Sequence, residues 1–440
     1  MSTFFIQNFG CRATQADGAA LESALAARGL RPAARHEAEF VILNTCTVTA
    51  AADQDVRQAV RRIRRENPLA RILVTGCYAQ RAPEEIAAWP GVAGVIGNTD
   101  KLRIPELVAG GLLSPARAGC GTVSTPLVQV GNIEARQEFI TAVVEDAAGE
   151  RTRPNLKIQD GCSNRCSFCI IPSVRGRSRS APADWVVEQV RALASQYREV
   201  VLSGINLGRW GRDLGSGLRL ADLVERLLAE TDVERLRLSS VEPLDWSDRL
   251  LELMAASPRI AQHVHAPLQT GSDAVLRRMR RPYRARHYEE RIRKARALMP
   301  DAAIGADVMV GFPGETDAEF EENCAFIEAL PFTYLHVFTY SARPGTPAAS
   351  APGQVPVPVR RERNRVLREL AAKKNLEFRR RLIGKTLQVV TLRQAGTALS
   401  GNFVKVRLAQ PREPNRLIDV VIGGLTPGGL SEERPVSEPA

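Results

Sequence analysis

The feature that most constrains the fold is a series of short β-rich runs separated by amphipathic helical patterns. Between about residues 135 and 372 there are six such runs, and patterns such as DWVVEQVRALASQ and TDAEFEENCAFIEAL lie between them. A helix between two strands returns the chain to the starting end of the sheet, so successive strands pair in parallel. Six βα units therefore predict a partial barrel, three-quarters of the eight-unit form, with its active site at the carboxyl ends of the strands. The six runs are NLKIQ, EVVLS, RLRLS, QHVHAPL, AIGADVMV and YLHVFTY.

The segments on either side of this barrel have different patterns. In the first, FFIQNF, FVILNT and RILVTG alternate with helical segments near 13–28 and 53–66, which predicts an open parallel α/β sheet over residues 1–115. The stretch SPARAGCGTVSTP breaks that pattern and marks a boundary. The barrel is assigned to 140–374, and KTLQVVTL, GNFVKVRL and RLIDVVIGGL then predict a small antiparallel barrel over 375–438. The tail SEERPVSEPA is expected to be disordered.

The composition indicates the cellular compartment of the protein and the kind of partner that it binds. The 440 residues include 60 Lys and Arg against 49 Asp and Glu, and the net charge of +11 suits a polyanionic partner such as nucleic acid. The N-terminus MSTFFIQNFG lacks the pattern of a signal peptide, and no apolar stretch is long enough to span a bilayer. We therefore expect a cytoplasmic protein without membrane contact, whose eight cysteines are metal ligands or buried thiols rather than disulfides.

Three cysteines lie within QDGCSNRCSFCIIP, just after the first predicted barrel strand. They are Cys162, Cys166 and Cys169. A structural zinc site takes four ligands, and no second pair of closely spaced cysteines follows; a disulfide would leave one cysteine over. Three thiolates on four irons leave one iron open to the amino and carboxylate groups of S-adenosylmethionine. The spacing, with Phe168 before the last cysteine, resembles that of the radical SAM superfamily.

A second triad is dispersed through the first domain. Cys11, Cys46 and Cys77 each follow an apolar strand and precede a helix. Because parallel strands end at one edge of the sheet, the three thiols are expected to converge there, where open α/β sheets bind ligands. Their shared placement favours one three-thiolate centre over three unrelated buried cysteines. Of the remaining two, Cys120 is interpreted as a spare thiol in the linker and Cys324 as a packing residue.

Over nearly its whole length the sequence resembles the methylthiotransferases, which are radical SAM enzymes. The C-terminal barrel resembles the TRAM module, an RNA-binding β-barrel, and the order of the three modules is that of this family. Besides the two triads, the resemblance rests on QDGCSNRCSFCIIPSVRGRSRS, LSGINLG, RLSSVEP, HAPLQTGSDAVLRRMRR, VGFPGETDAEF and HVFTYSARPGTPA.

The resemblance extends to one branch of the family. NFGCRATQAD, NTCTVTAAADQDVRQ and VTGCYAQ are most similar to enzymes that methylthiolate N6-threonylcarbamoyladenosine at position 37 of tRNA. The family also contains enzymes that modify isopentenyladenosine in tRNA or an aspartate of a small-subunit ribosomal protein, and both stay open as alternatives. An alternative of a different class is a non-catalytic iron–sulfur RNA-binding protein.

The resemblance implies two [4Fe–4S] clusters and S-adenosylmethionine as cofactors. Cys162, Cys166 and Cys169 would be the catalytic ligands of the cluster that cleaves S-adenosylmethionine, and the triad of the first domain would hold an auxiliary cluster that presents sulfur. The implied partners are the tRNA anticodon stem-loop, a sulfur donor and an electron donor.

Weaker candidates lie after later barrel strands. Gly204, Glu242 and Gln269 are candidates to contact S-adenosylmethionine, since strand-end positions on such barrels carry function. The alternatives are a turn glycine, a surface acid and a loop amide. His263 and His265 are on the same face of their strand and are interpreted as core or supporting histidines.

Two basic segments are candidate RNA contacts. Arg57, Arg61, Arg64 and Arg65 share one face of a predicted helix, and residues 360–381 hold ten Lys or Arg against three Glu. Aromatic residues are sparse in the second segment, so we expect it to contact phosphates rather than stack on bases. The alternative is an ordinary solvated helix face.

Overall fold

The computed structural model describes residues 2–110, 125–135, 139 and 152–433. These fall into two compact units, and each unit is described by itself. The first contains the described parts of 1–149 with 159–181 and 341–349, and the second contains those of 150–158, 182–340 and 350–440. Cys120 and the predicted domain limits at 115, 140 and 438 lie outside the described residues, and the limit at 374/375 lies within a helix.

The first unit contains a six-stranded parallel sheet in the order β2-β1-β3-β4-β5-β6. The strands are Thr3–Asn8 (β1), Arg31–Pro32 (β2), Phe40–Thr45 (β3), Arg71–Gly76 (β4), Val92–Ile96 (β5) and Leu127–Gln129 (β6). Val41 and Leu43 of β3 pack with Val60 on one face, while Phe40 and Ile42 pack on the other. Because both faces of the sheet are covered, the first four residues of this strand, FVIL, are continuously apolar. The predicted open parallel sheet is confirmed.

The helices of the first unit follow the strands in the βα alternation that the sequence predicts. They are Arg12–Ala26 (α1), Ala50–Glu66 (α2), Cys77–Arg81 (α3), Pro83–Ala87 (α4), Ile104–Ala109 (α5) and Ile171–Arg175 (α6). Thr49 caps α2 by accepting a hydrogen bond from the amide of Ala52 at 3.2 Å. Two further strands, Asn155–Asp160 (β7) and Arg179–Ser180 (β8), pair antiparallel where Asp160 lies opposite Arg179.

The second unit carries the rest of the barrel series that begins with β7. All six predicted runs contain strands; those after β7 are Glu199–Gly204 (β9), Arg235–Leu238 (β10), His263–His265 (β11), Ala303–Val310 (β12) and Tyr334–Thr339 (β13). The pairings β9–β10, β11–β12 and β12–β13 are parallel. Strand β11 is shorter than QHVHAPL because it ends before Pro267, which has no amide hydrogen to donate.

Six helices accompany these barrel strands. They are Ala183–Ala194 (α7), Leu220–Glu230 (α8), Asp248–Ala256 (α9), Asp273–Arg278 (α10), Ala285–Leu298 (α11) and Asp317–Ala329 (α12). Among the described residues, no helix has the length and apolar character needed to cross a membrane.

The long helix Val357–Arg380 (α13) leads into a closed five-stranded barrel. Its strands are Thr386–Thr391 (β14), Thr397–Ser400 (β15), Lys405–Arg407 (β16), Leu417–Thr426 (β17) and Gly429–Glu432 (β18). The predicted small antiparallel barrel is confirmed in four of its five strand pairings, and β16 and β18 instead pair in parallel. An odd number of strands cannot alternate in direction around a closed ring, so at least one pair must be parallel. The predicted disordered tail is wrong at its start, since Ser431 and Glu432 belong to β18; residues 434–440 lie outside the described range.

Candidate active site

One cysteine triad of the first unit, the one dispersed along its sheet, lies at the carboxyl edge of three adjacent parallel strands. Cys11 immediately precedes α1, Cys46 follows β3, and Cys77 begins α3. Burial, together with the neighbouring charges of Cys77 and Cys11, raises the pKa of Cys46 to about 12. Thr45 pairs with Gly76, so Cys46 and Cys77 follow paired residues of neighbouring strands, and Gly10, next to Cys11, packs against Cys46. The structure thus brings the triad together; its role as a ligand set stays a prediction.

Gly10 permits the close approach of two of these segments. Its φ is +94°, and a Cβ at this position would lie 2.8 Å from the Sγ of Cys46 and 2.4 Å from its Cβ. A side chain would therefore collide with the middle cysteine of the triad, and the backbone conformation would be strained as well.

A buried arginine contacts the same triad. Arg175, at the end of α6, donates a hydrogen bond from Nε to the Sγ of Cys77 at 3.2 Å. Its other nitrogens donate to Asp160 at 2.9 Å and to Asp17 at 3.0 Å. Burial on its own lowers the pKa of this guanidinium, but the surrounding negative charges raise it well above its ordinary value. The side chain is 2% exposed, so a permanent positive charge faces the sulfur away from solvent.

Other polar groups complete the surroundings of the triad. Asn98 donates from Nδ2 to the Sγ of Cys77 at 3.7 Å and to the carbonyl of Val174 at 2.8 Å. The hydroxyl of Thr14 lies 3.5 Å from the Sγ of Cys11. N–H donors and a buried cation stabilise thiolates, and three thiolates are the donor set of an iron–sulfur centre with one open iron. The residues present therefore fit such a centre.

The second triad occupies the loop between β7 and α6. The amide of Cys162 donates to the carbonyl of Gly176 at 3.0 Å, and that of Cys169 donates to Cys166 at 3.1 Å. Gly161 has a φ of +69°, and a Cβ there would lie 2.0 Å from a backbone oxygen, so the turn that starts this loop requires glycine. Cys166 is buried, while the other two thiols are partly exposed. A cavity of about 510 Å³ opens beside Cys162.

The predicted contacts for S-adenosylmethionine belong to the second unit. Gly204 ends β9, Glu242 follows β10 and Gln269 follows β11. Burial raises the pKa of Glu242, against the opposing charge of Arg281, with which it forms an ion pair. These residues lie after successive barrel strands, as the sequence indicates, and their role stays a prediction.

Gln269 has the most unusual conformation of the three. Its φ is +69°, which is rare for a residue other than glycine. Backbone hydrogen bonds to Asp307 and from Met309, both 2.8 Å, hold it against β12. Its side chain is largely buried, and Oε1 has no hydrogen-bond partner within the protein. Such strain and an unpaired buried acceptor are characteristic of ligand-binding positions.

A histidine–aspartate network that sequence reasoning did not identify crosses β11, β12 and β13. His263 and His265 are buried on one face, as predicted, and both contact the hydroxyl of Tyr334, at 2.6 and 2.8 Å. Asp307 lies 3.2 Å from His265 and 3.1 Å from His336. Burial opposes ionisation of Asp307, but these hydrogen bonds hold its pKa well below the usual range. Alternating polar residues in HVH, ADV and YLH were the available signal.

The first predicted basic surface is exposed but partly paired. Arg57 donates to Tyr78 at 3.2 Å and forms an ion pair with Glu85. A cavity of about 460 Å³ beside it is also lined by Arg61, Arg64 and the aromatic ring of Trp89. Trp89 was missed by sequence reasoning because it lies outside the helix that carries the arginines.

Structural contacts occupy part of the second basic segment. Arg363 donates to Glu315 and Asp317, each at 2.7 Å, and Arg379 donates to two carbonyls of the C-terminal barrel. Arg361, Arg368 and Arg380 are exposed. The hypothesis of a phosphate-binding surface therefore applies to the exposed members of this run.

Comparisons with known proteins show which families the chain resembles. Residues 156–327 match the model of the radical SAM superfamily, and residues 3–97 match that of the uncharacterized protein family UPF0004. A threonylcarbamoyladenosine tRNA methylthiotransferase of Aquifex aeolicus is 34% identical over 94% of this chain and 99% of its own. The Bacillus subtilis enzyme of that name is 37% identical over 89% and 85%. A tRNA-2-methylthio-N(6)-dimethylallyladenosine synthase of Novosphingobium aromaticivorans is 35% identical over 89% and 87%.

A solved structure gives a similar fold. The radical S-adenosylmethionine methyltransferase TsrM from Kitasatospora setae superimposes with a TM-score of 0.57 at 18% identity, covering 79% of this chain and 77% of its own. At that identity the similarity concerns the fold alone.

Proposed function

The chain belongs to the radical SAM methylthiotransferase family, and from that premise we propose that it inserts a methylthio group at C2 of N6-threonylcarbamoyladenosine 37 in tRNA. The observation that carries the proposal is the pair of cysteine triads, one at a sheet edge and one in the loop after the first barrel strand. The threonylcarbamoyladenosine enzymes named above support the choice of substrate.

The reaction replaces a C–H bond that is not acidic, so acid–base catalysis by side chains is insufficient. When bound, the two [4Fe–4S] centres and two molecules of S-adenosylmethionine would supply the electron, the hydrogen-abstracting radical, the sulfur atom and its methyl group. Cys162, Cys166 and Cys169 would hold the centre that meets S-adenosylmethionine. The triad at the sheet edge would hold the auxiliary centre. The protein's own task is to bind, orient and exclude water.

The second unit offers groups suited to S-adenosylmethionine. The unpaired Oε1 of Gln269 is an acceptor for an ammonium or ribose hydroxyl group. The partly buried carboxylate of Glu242, kept in place by Arg281, is a second acceptor. Gly204 at the end of β9 leaves the backbone accessible to a close ligand.

The proposed RNA partner is the anticodon stem-loop. The exposed arginines of α2 and α13 are suited to its phosphates, and Trp89 beside Arg61 and Arg64 offers a stacking surface for an unpaired base. A sulfur donor and an electron donor are the other proposed partners.

A second candidate substrate is isopentenyladenosine in tRNA. The dimethylallyladenosine synthase named above is 35% identical over 89% of this chain, beside 34% over 94% for the Aquifex aeolicus threonylcarbamoyladenosine enzyme.

The test supplies the anaerobically reconstituted full chain with S-adenosylmethionine, a reductant and two anticodon stem-loops. One carries threonylcarbamoyladenosine and the other isopentenyladenosine, and nucleosides are analysed by mass spectrometry. We expect the methylthio product on the first RNA only. Product on the second RNA alone would establish the second candidate instead.

Cysteine variants test the assignment of the two triads. Replacing Cys162, Cys166 and Cys169 by Ala should remove about half of roughly eight irons and abolish formation of 5′-deoxyadenosine. Replacing the sheet-edge triad by Ala should remove the other half and spare 5′-deoxyadenosine formation while stopping methylthiolation. Formation of 5′-deoxyadenosine by the first variant would contradict the assignment.

A further inference from the structure

Arg175 connects the auxiliary triad to the loop of the second triad within the first unit. Its Nε donates to the Sγ of Cys77 at 3.2 Å, and it belongs to the short helix that follows Cys169. Its Nη1 donates at 2.9 Å to Asp160, which ends the strand that precedes Cys162. One rigid guanidinium therefore holds an auxiliary sulfur and both ends of the other cysteine loop in a fixed arrangement.

The same side chain reaches the rest of the sheet edge. Its Nη2 donates to Asp17 at 3.0 Å and lies 3.4 Å from the hydroxyl of Thr14, which is 3.5 Å from the Sγ of Cys11. Asp17 also receives a 2.9 Å hydrogen bond from the buried amine of Lys101. Each of the three guanidinium nitrogens thus donates at least one hydrogen bond, and together these contacts fix the orientation of the group.

If Arg175 served only to form a buried ion pair, its contacts with the carboxylates of Asp160 and Asp17 would be sufficient. The Nε atom, however, points at a sulfur, and Asn98 directs a second N–H toward the same atom from 3.7 Å. N–H donors and positive charge next to a ligating sulfur stabilise the reduced state of an iron–sulfur centre and so raise its reduction potential.

We propose that Arg175 is a positioning residue that fixes the sulfur of Cys77 and raises the reduction potential of the auxiliary centre, an inference that rests on the proposed function. When this sulfur is fixed, the auxiliary centre keeps a constant position relative to the loop that carries Cys162, Cys166 and Cys169. The reduction potential of the auxiliary centre determines how readily it accepts an electron in competition with the centre held by Cys162, Cys166 and Cys169.

The experiment uses the full chain in the background in which Cys162, Cys166 and Cys169 are Ala, so that only the auxiliary centre contributes. Arg175→Lys keeps the charge but loses the planar, multidentate geometry, and Arg175→Gln loses both. Iron is quantified, and the midpoint potential is measured by a redox titration followed by electron paramagnetic resonance. The matched control is Arg81→Lys in the same unit, since Arg81 is also largely buried and donates to Asp53 at 2.9 Å and Thr47 at 2.8 Å.

We expect about four irons in each variant, with the potential shifted to more negative values in Arg175→Lys, further in Arg175→Gln, and unchanged in the control. Should the Arg175 variants fail to fold, Asn98→Ala removes the longer N–H donor and should shift the potential in the same direction by less. An unchanged potential and spectrum in every foldable variant would overturn this inference and leave the proposed function intact. Absence of iron in the unmodified background would instead overturn the proposed auxiliary centre itself.

Discussion

Replacing Glu199 by Gln should strongly destabilise the second unit. The Glu199 carboxylate is fully buried at the start of β9. It accepts hydrogen bonds from Arg235 at 2.6 Å, from Arg237 at 2.8 and 3.2 Å, and from Arg153 at 3.0 Å. The first two of these arginines also donate to backbone carbonyls of β14 and β15. The Glu199 carboxylate therefore balances the positive charge of three arginines. It also orients Arg235 and Arg237, which bind the C-terminal barrel through its backbone carbonyls.

The magnitude follows from that burial. Gln keeps the shape of Glu199 but removes the charge and turns an amide N–H₂ toward arginine donors. Removing one partner of a buried ion pair costs about 3–5 kcal/mol because the remaining charge is left uncompensated. For a unit of about 250 described residues, each kcal/mol lowers Tm by roughly 2–4 °C, so we expect a decrease of roughly 6–20 °C.

The pH dependence gives a second check on Glu199. Burial opposes its ionisation, but the charges of Arg237 and Arg235 outweigh burial and hold the pKa well below its ordinary value of 4.5. A lowered pKa contributes stability that is complete above the unfolded-state pKa and is lost as pH falls toward the folded-state pKa. The difference in Tm between wild type and variant should therefore be largest near neutrality and narrow below about pH 4.5.

Thermal unfolding is followed by circular dichroism at several pH values. The control is Glu230→Gln, which breaks an exposed pair with Arg226 at 2.7 Å and should leave Tm unchanged at neutral pH. An unaltered Tm for Glu199→Gln at pH 7, or a gap that widens on acidification, would refute the reasoning.

Three further predictions concern the binding of S-adenosylmethionine, iron and tRNA. Gln269→Gly relaxes the positive φ, so the Tm should be retained or raised. The variant should bind S-adenosylmethionine more weakly in calorimetry, and an unchanged affinity would show that the Gln269 side chain does not contact this ligand. Gly10→Ala should cost about half of the bound iron, because its Cβ overlaps a cysteine of the auxiliary triad, whereas Gly29→Ala, with a φ of +80° and open space around it, should retain all iron. Replacing Arg61 and Arg64 by Ser should weaken tRNA binding and reduce the slope of log affinity against log salt by roughly 0.7–0.9 per lost phosphate contact; a slope equal to that of the wild type would exclude this cavity from the RNA interface.

Local sequence determined the elements and much of the site's placement. FVILNT and RILVTG are the strands Phe40–Thr45 and Arg71–Gly76. Strand-end cysteines can be located from such runs because each run and the turn after it are encoded by consecutive residues. Parallel pairing then requires those ends to lie at one edge, so the convergence of the first triad followed without coordinates.

The contacts that stabilise and tune the site depended on tertiary structure. Arg175 lies 98 residues from Cys77 and 158 from Asp17, so neither partner can be read from its own segment. In sequence Arg175 is one of several arginines in SVRGRSRS, and Glu199 is one acid before an apolar strand. The closure of the last barrel through a parallel β16–β18 pair was also undetermined, because register and direction depend on which distant strand completes the ring. Hydrophobic periodicity is a property of neighbouring residues, whereas burial of a charge and the identity of its partners arise only when distant segments pack together.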